Sequence, residues 1–214
     1  MNDQAEDRPS VLAALLSSYA GRDNPRHRLL WALDARLGRV VATTTEAMIG
    51  QLRLAWWQEA LTDPVGMKGR GDPLVDALRA AGEVPPAGLT AWLDGWEALI
   101  ADDDLDAYAI GRGGGLFQSL TGEAEVPDWL IQAGAAWALW DFSGHVSSPN
   151  LAAKAINLAR HKLFSCDPVW PASWRPMRIA YGLAQGDIRR GKAAPNRLTP
   201  GLYLRLLHVA FSAR

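Results

Sequence analysis

The segment DWLIQAGAAWALWDF, residues 128–142, is the most informative stretch of this sequence for the fold. It follows Pro127, and its tryptophan, leucine, isoleucine and alanine residues fall on every side of a helix that turns about 100° per residue. A helix that is apolar almost all round is typical of an element enclosed by other helices. The segment therefore predicts a helix, from Pro127 to about His145, that runs through the middle of the protein.

Helical patterns dominate the rest of the chain as well, and alternating runs of β-branched residues are almost absent. Proline, serine, aspartate and glycine residues mark the starts and stops of the predicted helices. Beside the central one, we predict helices at 11–20, 25–41, 46–61, 74–81, 150–164, 175–190 and 201–211, with another ending at 100 and one starting at the aspartates of 102–106. No internal repeat and no long polar linker divides the chain. The sequence predicts one all-α, bundle-like domain over residues 1–214.

Charge and composition narrow the classes of partner and site. The 22 Lys and Arg residues nearly cancel the 23 Asp and Glu residues, so no overall positive field attracts nucleic acid, and we expect no nucleic-acid partner. The single cysteine, Cys166, excludes an internal disulfide and any multi-cysteine zinc or iron–sulfur site. Ten of the eighteen aromatic residues are tryptophan, which predicts a core or cavity walled by indole rings.

Several features of the sequence bear on where in the cell the protein lies. No run of about 18 apolar residues is present, and the first ten residues are acidic where a signal peptide is basic and then apolar. These features predict a soluble cytoplasmic protein. Positive residues cluster late in the chain, at 189, 190, 192 and 197, beside Leu202, Tyr203 and Leu206. They form either a peripheral face for anionic lipid at the inner membrane or a solvated helix end.

Arg53 stands out in the predicted helix at 46–61. On a helical wheel it falls in the middle of an apolar arc of roughly 200° that includes Leu52 and Trp56. A buried guanidinium needs an anionic partner, and Asp34 is the nearest candidate in sequence. Arg53 is therefore expected to snorkel or to form an internal ion pair, or else to face a ligand.

Asp141 and His145 lie one helical turn apart at the end of the central helix, on the side of Gly134 and Ala138. One interpretation is a local hydrogen bond or a cap on the helix C-terminus. The other is a polar edge on an apolar cavity.

Four glycines surround Arg112 in the segment YAIGRGGGLF, residues 108–117. Each glycine costs a helix about 1 kcal/mol relative to alanine, so something must approach the backbone closely there. The neighbour is either a tightly packed helix or a ligand whose anionic group meets Arg112 and the backbone. A nucleotide phosphate loop is excluded, because no Gly-Lys-Ser/Thr follows and no strand precedes.

Several segments resemble the squalene/phytoene synthase family. The phrase MIGQLRLAWWQEAL, residues 48–61, is similar to the family's "iRL-x-WW" helix. GDPLVDAL at 71–78 resembles its His-Pro-Leu helix, and YAIGRGGGLF resembles its Tyr-x-x-x-x-Gly segment. AGAAWALWDF at 133–142 resembles its second aspartate helix, and 175–191 resembles a C-terminal helix of bacterial members. The matches follow the family's order from about residue 10 to 210.

The resemblance implies the isoprenoid-synthase fold, a ring of helices around a deep apolar cavity. Active members join two prenyl diphosphates head to head, using two Asp-x-x-x-Asp motifs that hold Mg²⁺ against the diphosphate. Here Asp34 is followed four residues later by Gly38, and Asp141 by His145. The literal Asp-x-x-x-Asp spacing at 102–106 matches a polar surface turn of the family and is rejected as the metal site. The paired motifs are therefore expected to be lost, as in the degenerate branch related to the mitochondrial complex I assembly factor, which is regarded as non-catalytic.

Three hypotheses follow. The first is a non-catalytic protein that binds a prenyl or other lipid-like ligand or assists assembly of a respiratory complex with a membrane-associated protein partner, and needs no metal or other cofactor. The second is a divergent head-to-head prenyltransferase that uses Mg²⁺. The third is a closed core in which the polar residues only pair with one another. The ligand-binding candidates are Asp34, Arg53, Arg112, Asp141 and His145.

Overall fold

The computed structural model describes residues 10–21, 24–195 and 197–212. All regular secondary structure in these ranges is helical, which confirms the predicted all-α class. The helices are α1 (Val11–Ser18), α2 (Pro25–Ala42), α3 (Ala47–Thr62), α4 (Pro73–Ala80), α5 (Leu89–Asp102), α6 (Leu105–Tyr108), α7 (Gly115–Thr121), α8 (Asp128–Ser143), α9 (Pro149–Arg160), α10 (Arg175–Arg189) and α11 (Pro200–Ser212). A π-helical stretch, Ala109–Gly114, joins α6 to α7 without a break.

Short polar side chains fix several helix starts. The Ser10 hydroxyl accepts a hydrogen bond from the backbone N–H of Ala13, and a carboxylate oxygen of Asp72 accepts from Leu74 and Val75. Such caps satisfy N–H groups that have no partner inside the helix. These are the residue types from which the sequence predicted the helix boundaries.

Helix α8 runs through the middle of the fold, as its sequence predicts. Most of its length is buried, and it packs against the π-helical stretch, α9 and α10. The helix ends at Ser143, close to the predicted end at about His145.

The glycines around Arg112 serve helix packing. A Cβ on Gly113 would lie 2.1 Å from the backbone oxygen of Gly134 in α8, and a Cβ on Gly111 would lie 2.5 Å from Cα of Gly95 in α5. The π-helical stretch is therefore sandwiched between α5 and α8 at backbone contact distance. Of the two interpretations of these glycines, the tightly packed helix is confirmed.

The side of helix α3 that packs against the core is not the side around Arg53 that the sequence predicted. It buries Gly50, Leu54, Trp57 and Leu61, while Arg53 is exposed and donates a hydrogen bond to the Thr44 hydroxyl at 3.3 Å. The predicted burial of Arg53 is wrong because apolar residues occur all round this helix, so the wheel offers two competing faces. The side that carries Gly50 and Trp57 faces inward.

Helix α11 packs on α10 near the end of the chain. Leu202 and Leu206 are buried in this contact, so they do not contribute to a lipid-facing surface, whereas Tyr203 and Leu204 are exposed. Across the described ranges, the helices are too short or too polar for any of them to cross a membrane.

Candidate functional site

A pocket of about 480 Å³ lies between α2, α5, α6 and the C-terminal end of α8. Its walls are mainly apolar, and it reaches solvent beside His145, whose side chain is 65% exposed. The lining residues are Asp34, Ala35, Gly38, Arg39, Val41, Ala42, Trp96, Leu99, Tyr108, Arg112, Asp141, Phe142, His145 and Val146. The pocket thus combines an aliphatic and aromatic wall with a small group of charged residues.

The charged group is organised around the guanidinium of Arg112. Its Nε donates to Asp34 Oδ1 at 3.1 Å, and its Nη2 donates to Asp34 Oδ2 at 2.7 Å. The same Nη2 donates to Asp141 Oδ2 at 2.8 Å. Arg112 therefore bridges the two aspartates, one from α2 and one from α8. We call these three side chains the Asp–Arg–Asp bridge.

Aromatic side chains enclose the bridge. The guanidinium carbon of Arg112 lies 4.6 Å from the ring centre of Trp96 and 4.9 Å from that of Trp137, distances at which cation–π attraction operates. Nη1 of Arg112 donates to the Tyr108 hydroxyl, and Trp92 Nε1 donates to Asp34 Oδ1 at 3.2 Å. The expectation of indole walls is confirmed at this site.

The surroundings keep Arg112 charged. Burial alone would lower the pKa of Arg112, but Asp34, Tyr108 and Asp141 together hold it well above its ordinary value. Burial also raises the pKa of the Tyr108 hydroxyl, so Tyr108 stays neutral at physiological pH. Arg112 therefore supplies a fixed positive charge between the two aspartates.

Local sequence explains how these groups meet. Tyr108 and Arg112 are four residues apart on one helical segment, and the glycines that follow let α5 and α8 approach it closely. Gly38 lies one turn after Asp34, and a Cβ there would be 3.3 Å from the Trp96 ring. Glycine at this position gives the indole space to lie over the guanidinium.

The five sequence-predicted candidates separate into two groups. Asp34, Arg112 and Asp141 meet in the bridge, and His145 lies at the pocket mouth. The Nδ1 of His145 lies 2.8 Å from the backbone oxygen of Asp141 and 3.9 Å from its Oδ1, so the predicted cap on the end of α8 is confirmed. Arg53 lies outside the pocket lining, and the suggested Asp34–Arg53 pair is wrong because Arg112 occupies both oxygens of Asp34.

Trp96 and Tyr108 were not among the sequence-predicted site residues. Tyr108 could have been found from its spacing to Arg112, since residues four apart share one face of a helix. Trp96 gave no comparable signal, because one tryptophan among ten carries little information about position.

The side chains present do not fit a magnesium site of the kind that the resemblance implies. Mg²⁺ prefers a shell of oxygen ligands, but the space between the two facing carboxylates holds the guanidinium of Arg112. Within the described ranges, no three His, Cys, Asp or Glu side chains form a group that could bind a metal ion. The bridge is a salt-bridge network and not a metal cage.

Comparison of the chain with protein-family models, curated proteins and solved structures finds no match. What the site can do follows from its own side chains. The apolar walls can shelter a hydrocarbon chain, and the bridge offers polar contacts at one end.

Proposed function

We propose that this protein is a non-catalytic relative of the squalene/phytoene synthases, with an isoprenoid-synthase-like fold, that binds a prenyl or other lipid-like ligand in the pocket. The observation that carries the proposal is the Asp–Arg–Asp bridge, in which Arg112 engages both aspartates. The resemblance at 48–61 and the later segments supports the choice of family. No metal or other cofactor takes part in this function.

The bridge opposes diphosphate ionisation. A dication placed between Asp34 and Asp141 would have to displace a guanidinium that is held by several hydrogen bonds. The second carboxylate of the first motif has no counterpart, because Gly38 stands there and Trp96 closes the space beside it. Both features support a binding role over prenyl transfer.

The walls suit an apolar ligand. The pocket volume falls in the ordinary range for small-molecule sites, and each buried methylene group contributes about 0.8 kcal/mol to binding. A branched isoprenoid chain can pack against Trp96, Leu99 and Phe142.

Direct binding of farnesol tests the proposal. We expect radiolabelled farnesol to bind the wild-type protein in equilibrium dialysis and the Leu99→Trp variant to lose most of that binding, because the larger ring fills the pocket. Leu52→Trp, on the exposed side of α3, is the matched control and should bind like wild type. Turnover of farnesyl or geranylgeranyl diphosphate with Mg²⁺ would contradict the proposal and favour the divergent prenyltransferase.

A second candidate role, assembly of a respiratory complex through a membrane-associated protein partner, is favoured by the outer side of α3. Met48, Ile49, Leu52 and Trp56 form an exposed apolar row beside a groove of about 330 Å³. Acidic residues of α5, Asp94 and Glu97, line that groove. An apolar row with an acidic border suits a basic amphipathic helix. A synthetic helix of leucine and lysine should therefore bind wild type more tightly than Trp56→Ser, and equal binding would exclude this surface.

The proposed location is the cytoplasm, with a peripheral contact to the inner membrane. Residues 168–212 contain seven Lys and Arg but one acidic residue, Asp187. Tyr203 and Leu204 expose apolar surface in the same region. Vesicles that contain anionic phosphatidylglycerol should bind wild type and release Leu204→Glu, with Leu52→Glu as the control on the acidic side. Equal binding of all three proteins would exclude this contact.

A further inference from the structure

The hydrogen bonds of the pocket floor specify which kind of head group it accepts, an inference that rests on the proposed ligand-binding function. Arg112 has five N–H donors. Four of them reach Asp34, Asp141 and Tyr108. Asp34 accepts three hydrogen bonds, two from Arg112 and one from Trp92. These two residues therefore have little capacity left for a ligand.

Asp141 differs from Arg112 and Asp34 because one of its oxygens is left for a ligand. Its Oδ2 accepts one hydrogen bond from Arg112, whereas its Oδ1 accepts none from any residue that the structure describes. Nδ1 of His145 is 3.9 Å from Oδ1 and lies within hydrogen-bond distance of a backbone oxygen instead. The Asp141 side chain lines the pocket and is 22% exposed. It presents an acceptor to whatever fills the pocket.

The charges of the pocket floor also disfavour an anionic ligand. Two carboxylates face one guanidinium in the bridge, which leaves a net negative floor beneath apolar walls. Low-dielectric walls strengthen the repulsion between such a floor and an anion. Two other basic side chains line the pocket outside the bridge. Arg39 lies in the C-terminal half of α2, and His145 lies just beyond the end of α8.

We propose that the head group of the bound ligand is a hydrogen-bond donor, a hydroxyl or an ammonium group, that binds Oδ1 of Asp141. A phosphate or diphosphate in the same place would meet the Asp141 carboxylate, while the guanidinium of Arg112 is already shared between two aspartates. The pocket thus selects prenyl-like alcohols or amines over prenyl diphosphates.

The test compares three probes that share one chain: farnesol, farnesylamine and farnesyl diphosphate, measured by equilibrium dialysis without Mg²⁺. Wild type should bind the amine most tightly, the alcohol next and the diphosphate at least about tenfold more weakly than the amine, since charge-assisted hydrogen bonds are the stronger ones. Asp141→Asn should weaken the amine about tenfold and improve the diphosphate. Asp128→Asn, an exposed position on the same helix, is the matched control and should preserve the wild-type order.

Each outcome has a separate meaning. Failure of all three probes to bind wild type would overturn the proposed function and this inference with it. Tightest binding of the diphosphate by wild type would overturn the inference and leave the ligand-binding function standing, as would an unchanged amine affinity in Asp141→Asn. Asp141→Ser should repeat the result of Asp141→Asn, and thermal melts identify a variant that fails through unfolding.

Discussion

Two buried aspartates of this protein have similar partners and different surroundings. Asp34 accepts a hydrogen bond from Trp92 Nε1 and Asp187 accepts one from Trp140 Nε1, both at 3.2 Å, and each aspartate is paired with arginine. Arg112, the partner of Asp34, is 6% exposed, whereas Arg190 and Arg205, the partners of Asp187, are 51% and 37% exposed.

The difference shows what distinguishes a candidate binding site from an ion pair that only stabilises the fold. At Asp187 the arginines reach from solvent and join α10 to α11, so the charges need no further partner. At Asp34 the guanidinium is enclosed by indoles and shared with a second carboxylate, Asp141, that faces a pocket. An ion pair becomes a candidate binding site when one of its members lines an enclosed pocket and keeps an oxygen that its partner does not use.

The largest expected effect comes from removing the arginine of each pair. Arg112→Ala leaves two inward carboxylates without their cation, so unfolding in urea should show a loss of about 3–5 kcal/mol. Arg190→Ala should cost less than about 1 kcal/mol, because its pair is partly solvated and Arg205 remains. A loss for Arg112→Ala no larger than that for Arg190→Ala would contradict the contrast between the two sites.

Alanine substitution of the glycine beside each ion pair tests the same difference between the two regions. A Cβ on Gly113 collides with the backbone of α8, so Gly113→Ala should destabilise the fold by about 3 kcal/mol and separate Arg112 from Asp141. A Cβ on Gly186 meets the ends of the Arg190 and Arg205 side chains at 3.5 Å or more, and these can move aside. Gly186→Ala should therefore be neutral or slightly stabilising in the same unfolding measurement. Equal losses would show that the backbone contact with Gly134 is not what holds Arg112 in place.

Acid should lower the stability of the fold through α2, the helix that carries Asp34, because α2 also carries the buried His27. Burial, and then the charge of Arg26, lower the pKa of His27 to about 4. The unfolded chain binds a proton at His27 below about pH 6.5, whereas the folded protein does so only near pH 4. Stability should therefore fall by up to about 3 kcal/mol as the pH drops through this window.

Substitution separates His27 from other acid-sensitive groups. His27→Gln should flatten the loss of stability between about pH 6.5 and 4, whereas His208→Gln, on the exposed side of α11, should leave it unchanged. An identical pH profile in wild type and His27→Gln would exclude His27 as the cause.

The sequence predicted the helices and the central place of α8 well, because caps, prolines and the all-apolar segment are local signals. It also singled out three residues of the bridge on separate grounds: Asp34 as a possible partner of Arg53, Arg112 from the glycines around it, and Asp141 from its place at the end of the apolar central helix. It paired Asp34 with Arg53, since proximity in sequence was the available criterion, although the true partner is 78 residues away. Long-range pairing depends on how α5 and α8 close on the glycines, which local patterns do not encode. The orientation of α3 was missed because both of its faces are apolar.

The position of a divalent ion tests the central claim most directly. Crystals of the protein soaked with Mn²⁺ and farnesyl diphosphate would locate the metal by its anomalous scattering. We expect the guanidinium of Arg112 to remain between Asp34 and Asp141, with no manganese peak there. A manganese ion bound to both carboxylates, with Arg112 displaced, would contradict the proposal that this pocket binds its ligand without a metal.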